Sequence, residues 1–156
     1  MSTEERQRLA AELRETMQRG TMWTVLLHHT VAGKAGLNVT DLQCLNLLSL
    51  DGPVTPGRLA QAMGITTGGA ITAVVDRLER AGYVRRTRDP HDRRRVIVEL
   101  VPEATARIAG YFEPVAGSVQ ARFAEFSDEQ LRTLLEFARG NNAAMPDIIK
   151  QVQALP

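Results

Sequence analysis

The chain has 156 residues, 44% of them apolar and 24% charged, with a formal net charge of +1. That length fits one ordinary domain or two small lobes sharing a core, and the balance is globular, so disorder is not the default. Near-neutrality gives no reason by itself to expect an acidic partner. No apolar run suits a secretory signal or a membrane span, so a cytoplasmic protein without membrane attachment is expected. One cysteine, Cys44 in "LQCLNLL", has no intramolecular disulfide partner and suits a reducing compartment.

Ser2-Thr3-Glu4-Glu5 has capping-box spacing, and Leu9, Leu13, Met17, Met22, Leu26 and His29 then recur at helical intervals, predicting a long first helix to Gly33 or Gly36. Thr40-Asp41-Leu42-Gln43 reads as a second capping box, opening an apolar helix that runs through Leu50 and stops at Asp51-Gly52-Pro53. Thr55 caps a short third helix with Pro56 at its first position and Gly64 as its stop. A fourth helix lies in "ITTGGAITAVVDRLERAG", capped at Thr66 or Thr67, apolar at Ile71, Val74, Val75 and Leu78, and closed at Gly82. Gly68 and Gly69 in its first turn would each cost about 1 kcal/mol relative to Ala in a helix interior, less at a fraying end. Two explanations stand: they let the backbone approach another surface and offer N–H groups to anions, or they only relax a helix start or pack against the second helix.

After Gly82 the period becomes alternating. "YVRRTR" and "RVIVELV" read as two strands joined through Asp89-Pro90-His91-Asp92, a β-hairpin directly after a helix pair. Helical spacing returns from Pro102 through Ile108, Phe112, Val115, Val119 and Phe123, with Pro114 and Gly117 expected to bend it. Ser127-Asp128-Glu129-Gln130 caps a last helix expected to end near Gly140, followed by a tail, "MPDIIKQVQAL", apolar enough to dock.

Charge is unevenly placed. Nine arginines against four acids between Arg58 and Arg95 give that block a net +5 and leave −4 for the rest of the chain. Six of those arginines crowd into "RRTRDPHDRRR", residues 85 to 95. Such a stretch is either a solvated charge run or a grip. On a hairpin tip, arginines can enter a narrow minor groove, where the negative potential is enhanced, or meet phosphates. Arg58, Arg88, His91, Arg93, Arg94 and Arg95 are therefore candidate DNA contacts, and Asp89 and Asp92 are read as carboxylates that aim the guanidinium groups. In the fourth helix, Thr66, Thr67, Gly69, Ala70, Thr72 and Ala73 are small or polar near the N-terminal turns, as base-edge reading in a major groove requires. Arg77 can reach a phosphate from the same helix or be held by Asp76 and Glu79.

Helix, helix-turn-helix, hairpin, then helices is the order of a flanked winged helix-turn-helix, and the residues resemble the MarR (multiple antibiotic resistance regulator) family of bacterial transcription factors. "RLAQAMGITTGGAITAVVDRLERAGYVRR" ends in the family's "DRLExxGxVxR" pattern, and "DPHDRRRVIVEL" matches its "DPxDRR" wing signature; "VPEA" stands where many relatives have "LTxxG". The resemblance implies a mainly α fold: a winged helix-turn-helix lobe with a two-stranded β-wing at 37–101, flanked by dimerisation helices at 1–36 and 102–156. It also implies a homodimer on a pseudo-palindromic double-stranded operator, expected to repress transcription and to be released by a small, for instance aromatic, ligand. In the family such ligands lodge between the dimerisation helices and the DNA-binding lobe, which makes Trp23, His28, His29, Cys44, Tyr111 and Phe112 candidates by region; for each, ordinary core or dimer packing is the stronger reading.

No cofactor is expected. The adjacent His28 and His29 point in different directions on a helix and have no spaced further ligand, so no metal site is expected either. GxSxG, HExxH and GxxxxGK[ST] are absent, which argues against an enzyme. A basic wing that binds an acidic protein and a hydrolase with an unrecognised site are the alternatives, and neither accounts for the helix-turn-helix and wing together.

Overall fold

In a computed structural model that describes residues 1–90, 92 and 94–155, the chain runs α1 (Thr3–Lys34), α2 (Val39–Asp51), α3 (Pro56–Ala62), α4 (Gly68–Arg80), β1 (Val84–Arg88), β2 (Val96–Leu100), α5 (Pro102–Phe123) and α6 (Asp128–Gln153). It forms two compact units, Met1–Tyr111 and Phe112–Pro156. The first carries a winged helix-turn-helix: α3 and α4 are joined by a tight turn, and an antiparallel hairpin follows α4.

Local chemistry sets the helix ends. Ser2 accepts the Glu5 N–H and the Glu5 carboxylate accepts the Ser2 N–H, closing the expected box at the head of α1. Thr55 caps α3 ahead of Pro56, and α3 and α4 are followed by Gly64 and Gly82 at φ 65° and 75°, left-handed positions that favour glycine.

Two boundaries differ from the sequence reading. The cap of α2 is Asn38, not Thr40: its side-chain oxygen accepts the Asp41 N–H at 2.8 Å, and the Asp41 carboxylate accepts the Asn38 N–H at 3.3 Å. Asn caps at least as well as Thr, and the earlier start puts Asp41 at the third helical position, where it can return the bond. At the other end of the chain, α6 does not stop near Gly140 but continues through Pro146 to Gln153. Gly140 is not among the left-handed glycines, and without that turn a glycine is only a weak point in a helix. The expected docking tail is thus the second half of a helix, and no residue of α6 is buried within the chain.

The core of the first unit is assembled from one face of each element. Leu42, Leu45 and Leu48 of α2, Leu59 of α3, Ile71, Val74, Val75 and Leu78 of α4, Val84 and Val98 of the hairpin, and Ala104 and Ile108 of α5 are all buried. The α4 set falls at i, i+3, i+4 and i+7, the stripe by which an amphipathic helix seats itself. In the hairpin Val84 pairs with Leu100 and Arg88 with Val96, while Val98 also bridges to Val54 on its other side. This backbone bridge ties β2 to the segment just before α3, so the wing is rooted in the helix-turn-helix.

The single cysteine belongs to this core. Cys44 is fully buried, and burial, with the Asp41 charge adding to it, pushes its thiol from 9.0 up to about 11. Above pH 9 the unfolded chain loses this proton while the folded chain keeps it. The thiol's contribution to stability is therefore complete below pH 9 and lost as pH rises towards 11, a change of roughly 2 kcal/mol. Urea unfolding of wild type and Cys44→Ala at both ends of that window, where other titrations cancel in the difference, should show the wild-type advantage shrinking with pH. A constant gap would contradict it.

Candidate nucleic-acid interface

The seating of α4 decides what it offers outward. With Ile71, Val74, Val75 and Leu78 turned into the core, Thr66, Thr67, Gly69, Ala70, Thr72 and Ala73 are all exposed, together with Gly68. The six positions expected from the sequence thus lie on one open surface at the N-terminal half of the helix. A Cβ built on Gly68 or Gly69 would meet nothing within 4 Å, so neither glycine is there to let α2 pack closely. Thr67 makes no side-chain capping bond, and the first-turn N–H groups of a helix have no partner within it. Thr72 donates its hydroxyl to the Gly68 carbonyl at 2.9 Å, which fixes its rotamer and leaves the oxygen able to accept.

Arg77, one turn beyond Ala73, is not held by Asp76 or Glu79. It reaches across to α2, where its Nε and Nη2 donate to the two Asp41 carboxylate oxygens at 3.3 and 2.7 Å. The Asp41 side chain is 4% exposed and that of Arg77 40%. These hydrogen bonds raise the Arg77 pKa above its ordinary value, so the guanidinium stays charged. Asp76 and Glu79 instead hold Arg86 of β1. Both pairings escaped the sequence reading. The first joins residues 36 apart and left no local signal. The second was open to strand parity, since Arg86 shares the inward face of Val84 while Arg85 faces solvent and pairs with Glu99 at 2.6 Å.

At the wing, the Asp89 N–H donates to the Arg95 carbonyl at 3.1 Å and closes the loop. The Asp89 carboxylate accepts the Asp92 N–H at 3.4 Å and lies 3.8 Å from the Arg95 guanidinium. The Asp92 carboxylate accepts the Arg94 N–H at 3.0 Å, a bond that shapes the turn backbone. Arg88, Arg94 and Arg95 are exposed. His91 and Arg93, the other two wing candidates, lie outside the described residues. Arg58 of α3 donates to Gln61 at 3.1 Å and faces the wing across a cleft of about 170 Å³ shared with Thr55, Asp89 and Arg95. α3 and the wing therefore bring two arginines, Arg58 and Arg95, to one opening.

The candidates for a small ligand are more scattered. Trp23 is 60% and Tyr111 40% exposed, His29 is exposed, and His28 and Phe112 are half-buried. The Tyr111 hydroxyl donates to the Lys34 carbonyl at 3.4 Å. Cys44 is sealed in the core, its thiol protonated at neutral pH. Among the described residues, no three His, Cys, Asp or Glu side chains gather where they could hold a metal ion, and no helix is long and apolar enough to cross a membrane.

Comparison with known proteins agrees with this architecture. A family model described as "MarR family" matches residues 35–95. An uncharacterized HTH-type transcriptional regulator of Bacillus subtilis, YcgE, is 40% identical over 114 residues, 73% of each chain. The chain belongs to the MarR family. A MarR family protein from Bacillus stearothermophilus shares the fold with a TM-score of 0.67 at 24% identity, covering 90% of this chain and 97% of that one. Overoxidized AbfR bound to DNA has the same fold at a TM-score of 0.51 and 19% identity, covering 91% and 98%. This MarR-family chain is accordingly grouped with transcription regulators, not with enzymes, and the matched segment, 35–95, contains α2 to α4 and the wing loop.

Arg77→Leu in this MarR-family lobe would leave the Asp41 carboxylate enclosed without its guanidinium, at a cost of about 2 kcal/mol, below the range for fully buried pairs because Arg77 is part-exposed. Arg85→Leu breaks a solvent-face pair and should cost under about 1 kcal/mol. Urea unfolding of the two variants checks the difference; equal costs would show that the Asp41 pair does not hold α4.

Proposed function

We propose that this MarR-family chain is a sequence-specific double-stranded DNA-binding regulator, acting as a homodimer on a pseudo-palindromic operator. The observation that carries the reading is the clean division of α4. Its apolar stripe is buried, every small or polar position of its N-terminal half is open, and the wing loop that follows in the chain carries exposed arginines. Thr66, Thr67, Gly69, Ala70, Thr72 and Ala73 read base edges in the major groove, the glycine keeping the backbone close to the bases. Arg58 and Arg95 hold phosphate across their shared cleft, Arg88, Arg93 and Arg94 with His91 meet phosphate or the neighbouring minor groove, and Asp89 and Asp92 set the loop that aims them. Arg77 contributes through its grip on Asp41, with its exposed edge towards the backbone. The DNA-bound structure of a chain with this fold, AbfR, supports the reading.

A dimer follows from two considerations. One helix-turn-helix contacts too little DNA for tight specific binding, and two copies can read half-sites about 34–36 Å apart. Within the chain Leu9, Leu13, Met22, Trp23 and Leu26 of α1 and Ile148, Ile149 and Val152 of α6 are 44% to 61% exposed, far more apolar surface than a lone helix carries in water. The regions 1–36 and 102–156 are the dimerisation surfaces in this reading, and 37–101 the DNA-binding lobe. Seated on an operator in the cytoplasm, such a dimer excludes polymerase, so the reading is of a repressor. Release is assigned to a small aromatic ligand meeting Trp23, His28, His29, Tyr111 or Phe112; Cys44, enclosed in the core, is the weakest of the candidates.

Selection of duplexes from a random pool, followed by salt titration, tests this. The expected result is an inverted-repeat motif bound by a species of two chains in light scattering, with affinity falling steeply as salt rises. Arg94→Ala should weaken binding to all sequences and lower the salt slope by roughly one unit. A monomer both free and on DNA, or binding that duplex DNA does not compete, would contradict it; the second result would favour an acidic protein partner.

A further inference from the structure

The carboxylates of Asp76 and Glu79 continue the stripe of α4 on which Gly68 and Thr72 lie, since 68, 72, 76 and 79 are spaced four, four and three apart. A stripe that begins as a DNA-reading surface and ends in two negative charges would repel the phosphates flanking the read bases. In this chain both are paired with one side chain from the next element. The Arg86 N–H donates to Glu79 Oε1 at 3.0 Å, its Nη1 donates to the other Glu79 oxygen, and its Nη2 donates to Asp76 Oδ1 at 2.5 Å. The Arg86 side chain is only 29% exposed because Arg86 lies on the inward face of β1, with Val84.

The position of Arg86 along the hairpin gives this pairing a mechanical consequence. Arg86 pairs with Val98, and Val98 is bridged on its far side to Val54 by two backbone hydrogen bonds, of 3.2 and 2.8 Å. One rung therefore links α4, both strands and the segment before α3. Two residues further on, β1 ends at Arg88 and the wing loop begins. Apolar contacts between α4 and the hairpin resist separation but little resist pivoting, because they have no direction. Three charge-assisted hydrogen bonds to two carboxylates a helical turn apart do have direction.

We propose that Arg86, clasped by Asp76 and Glu79, is a positioning residue for DNA reading: it fixes the angle between α4 and the wing, so that major-groove and wing contacts are made at one spacing. This rests on the DNA-binding reading above. Arg86 itself touches no DNA, and its role is carried by specificity.

The experiment repeats the duplex selection with wild type, Arg86→Ala and Arg86→Lys, and measures affinity for selected and random duplexes across salt. Arg86→Ala should keep the base preferences read by α4, lose preference at the outer positions read by the wing, and bind the wild-type duplex roughly tenfold more weakly, the scale of one lost base contact. Affinity for random duplex and the salt slope should be unchanged, and Arg86→Lys should recover part of the loss. If Arg86→Ala does not fold, the Asp76→Asn, Glu79→Gln double variant is expected to blur the same outer positions despite carrying two fewer negative charges. An unchanged motif and specificity ratio would overturn the proposal. So would a salt slope reduced by one unit with a parallel loss on random duplex, which makes Arg86 a phosphate contact, or tighter binding by the double variant with an unchanged motif, which makes the carboxylates mere repulsion. A wild type that enriches no duplex overturns the DNA-binding reading itself, and this proposal with it; each of the other failures leaves that reading standing.

Discussion

The Asp41 carboxylate, enclosed at the head of α2, imposes a condition on everything around it: a charge removed from water has to be met by donors from fixed directions. Asn38 supplies one from the chain just before the helix, and Arg77 supplies two from α4. The same group thus caps the start of α2 and pins α4 against it, while Leu42, Leu45 and Leu48 on one helix and Ile71, Val74, Val75 and Leu78 on the other are buried in a single apolar core. Burial sets how deeply α4 sits, and the ion pair adds a reference for its rotation. Once that rotation is set, which residues remain outside is no longer free, and the exposure of residues 66–70, 72 and 73 follows.

The arginine-rich block divides its labour by strand parity and by distance from the core. Arg77 and Arg86, both part-enclosed, face carboxylates on neighbouring elements, and Arg85 faces its cross-strand partner Glu99. Arg58, Arg88, Arg94 and Arg95 lie exposed around the wing and α3. The exposed part of the positive excess thus lies on the wing and α3, while the arginines nearer the core are paired with carboxylates. The overall charge of +1 conceals this separation completely.

Much of the architecture was legible because it rests on local rules. The apolar period of α4, the Thr55-Pro56 start of α3, the glycine stops after α3 and α4, and the switch to alternation at Val84 each depend on a few neighbouring residues. The errors have the same explanation in reverse. Asn38 and Thr40 are both competent caps, and only the demands on Asp41 choose between them; Gly140 resembles a stop until its backbone is seen to stay out of the left-handed region. Of the two readings open for Arg77, the ion pair with Asp76 and Glu79 fails because those residues are near in sequence while Asp41 is near in space. The exposed surface of α4 could be named residue by residue, since it is the complement of a periodic core. The candidate ligand residues could be named only by region, since no period or spacing defines a cavity.

The central claim is that the open half of α4 occupies a major groove while the wing takes the adjoining flank. Groove-resolved footprinting on a selected duplex tests it most directly, with guanine N7 methylation reporting the major groove and hydroxyl-radical cleavage the minor groove. The account predicts two major-groove protections about one helical turn apart, each flanked outward by a minor-groove or backbone protection. Protection confined to the backbone, with every guanine N7 in the site still reactive, would contradict it.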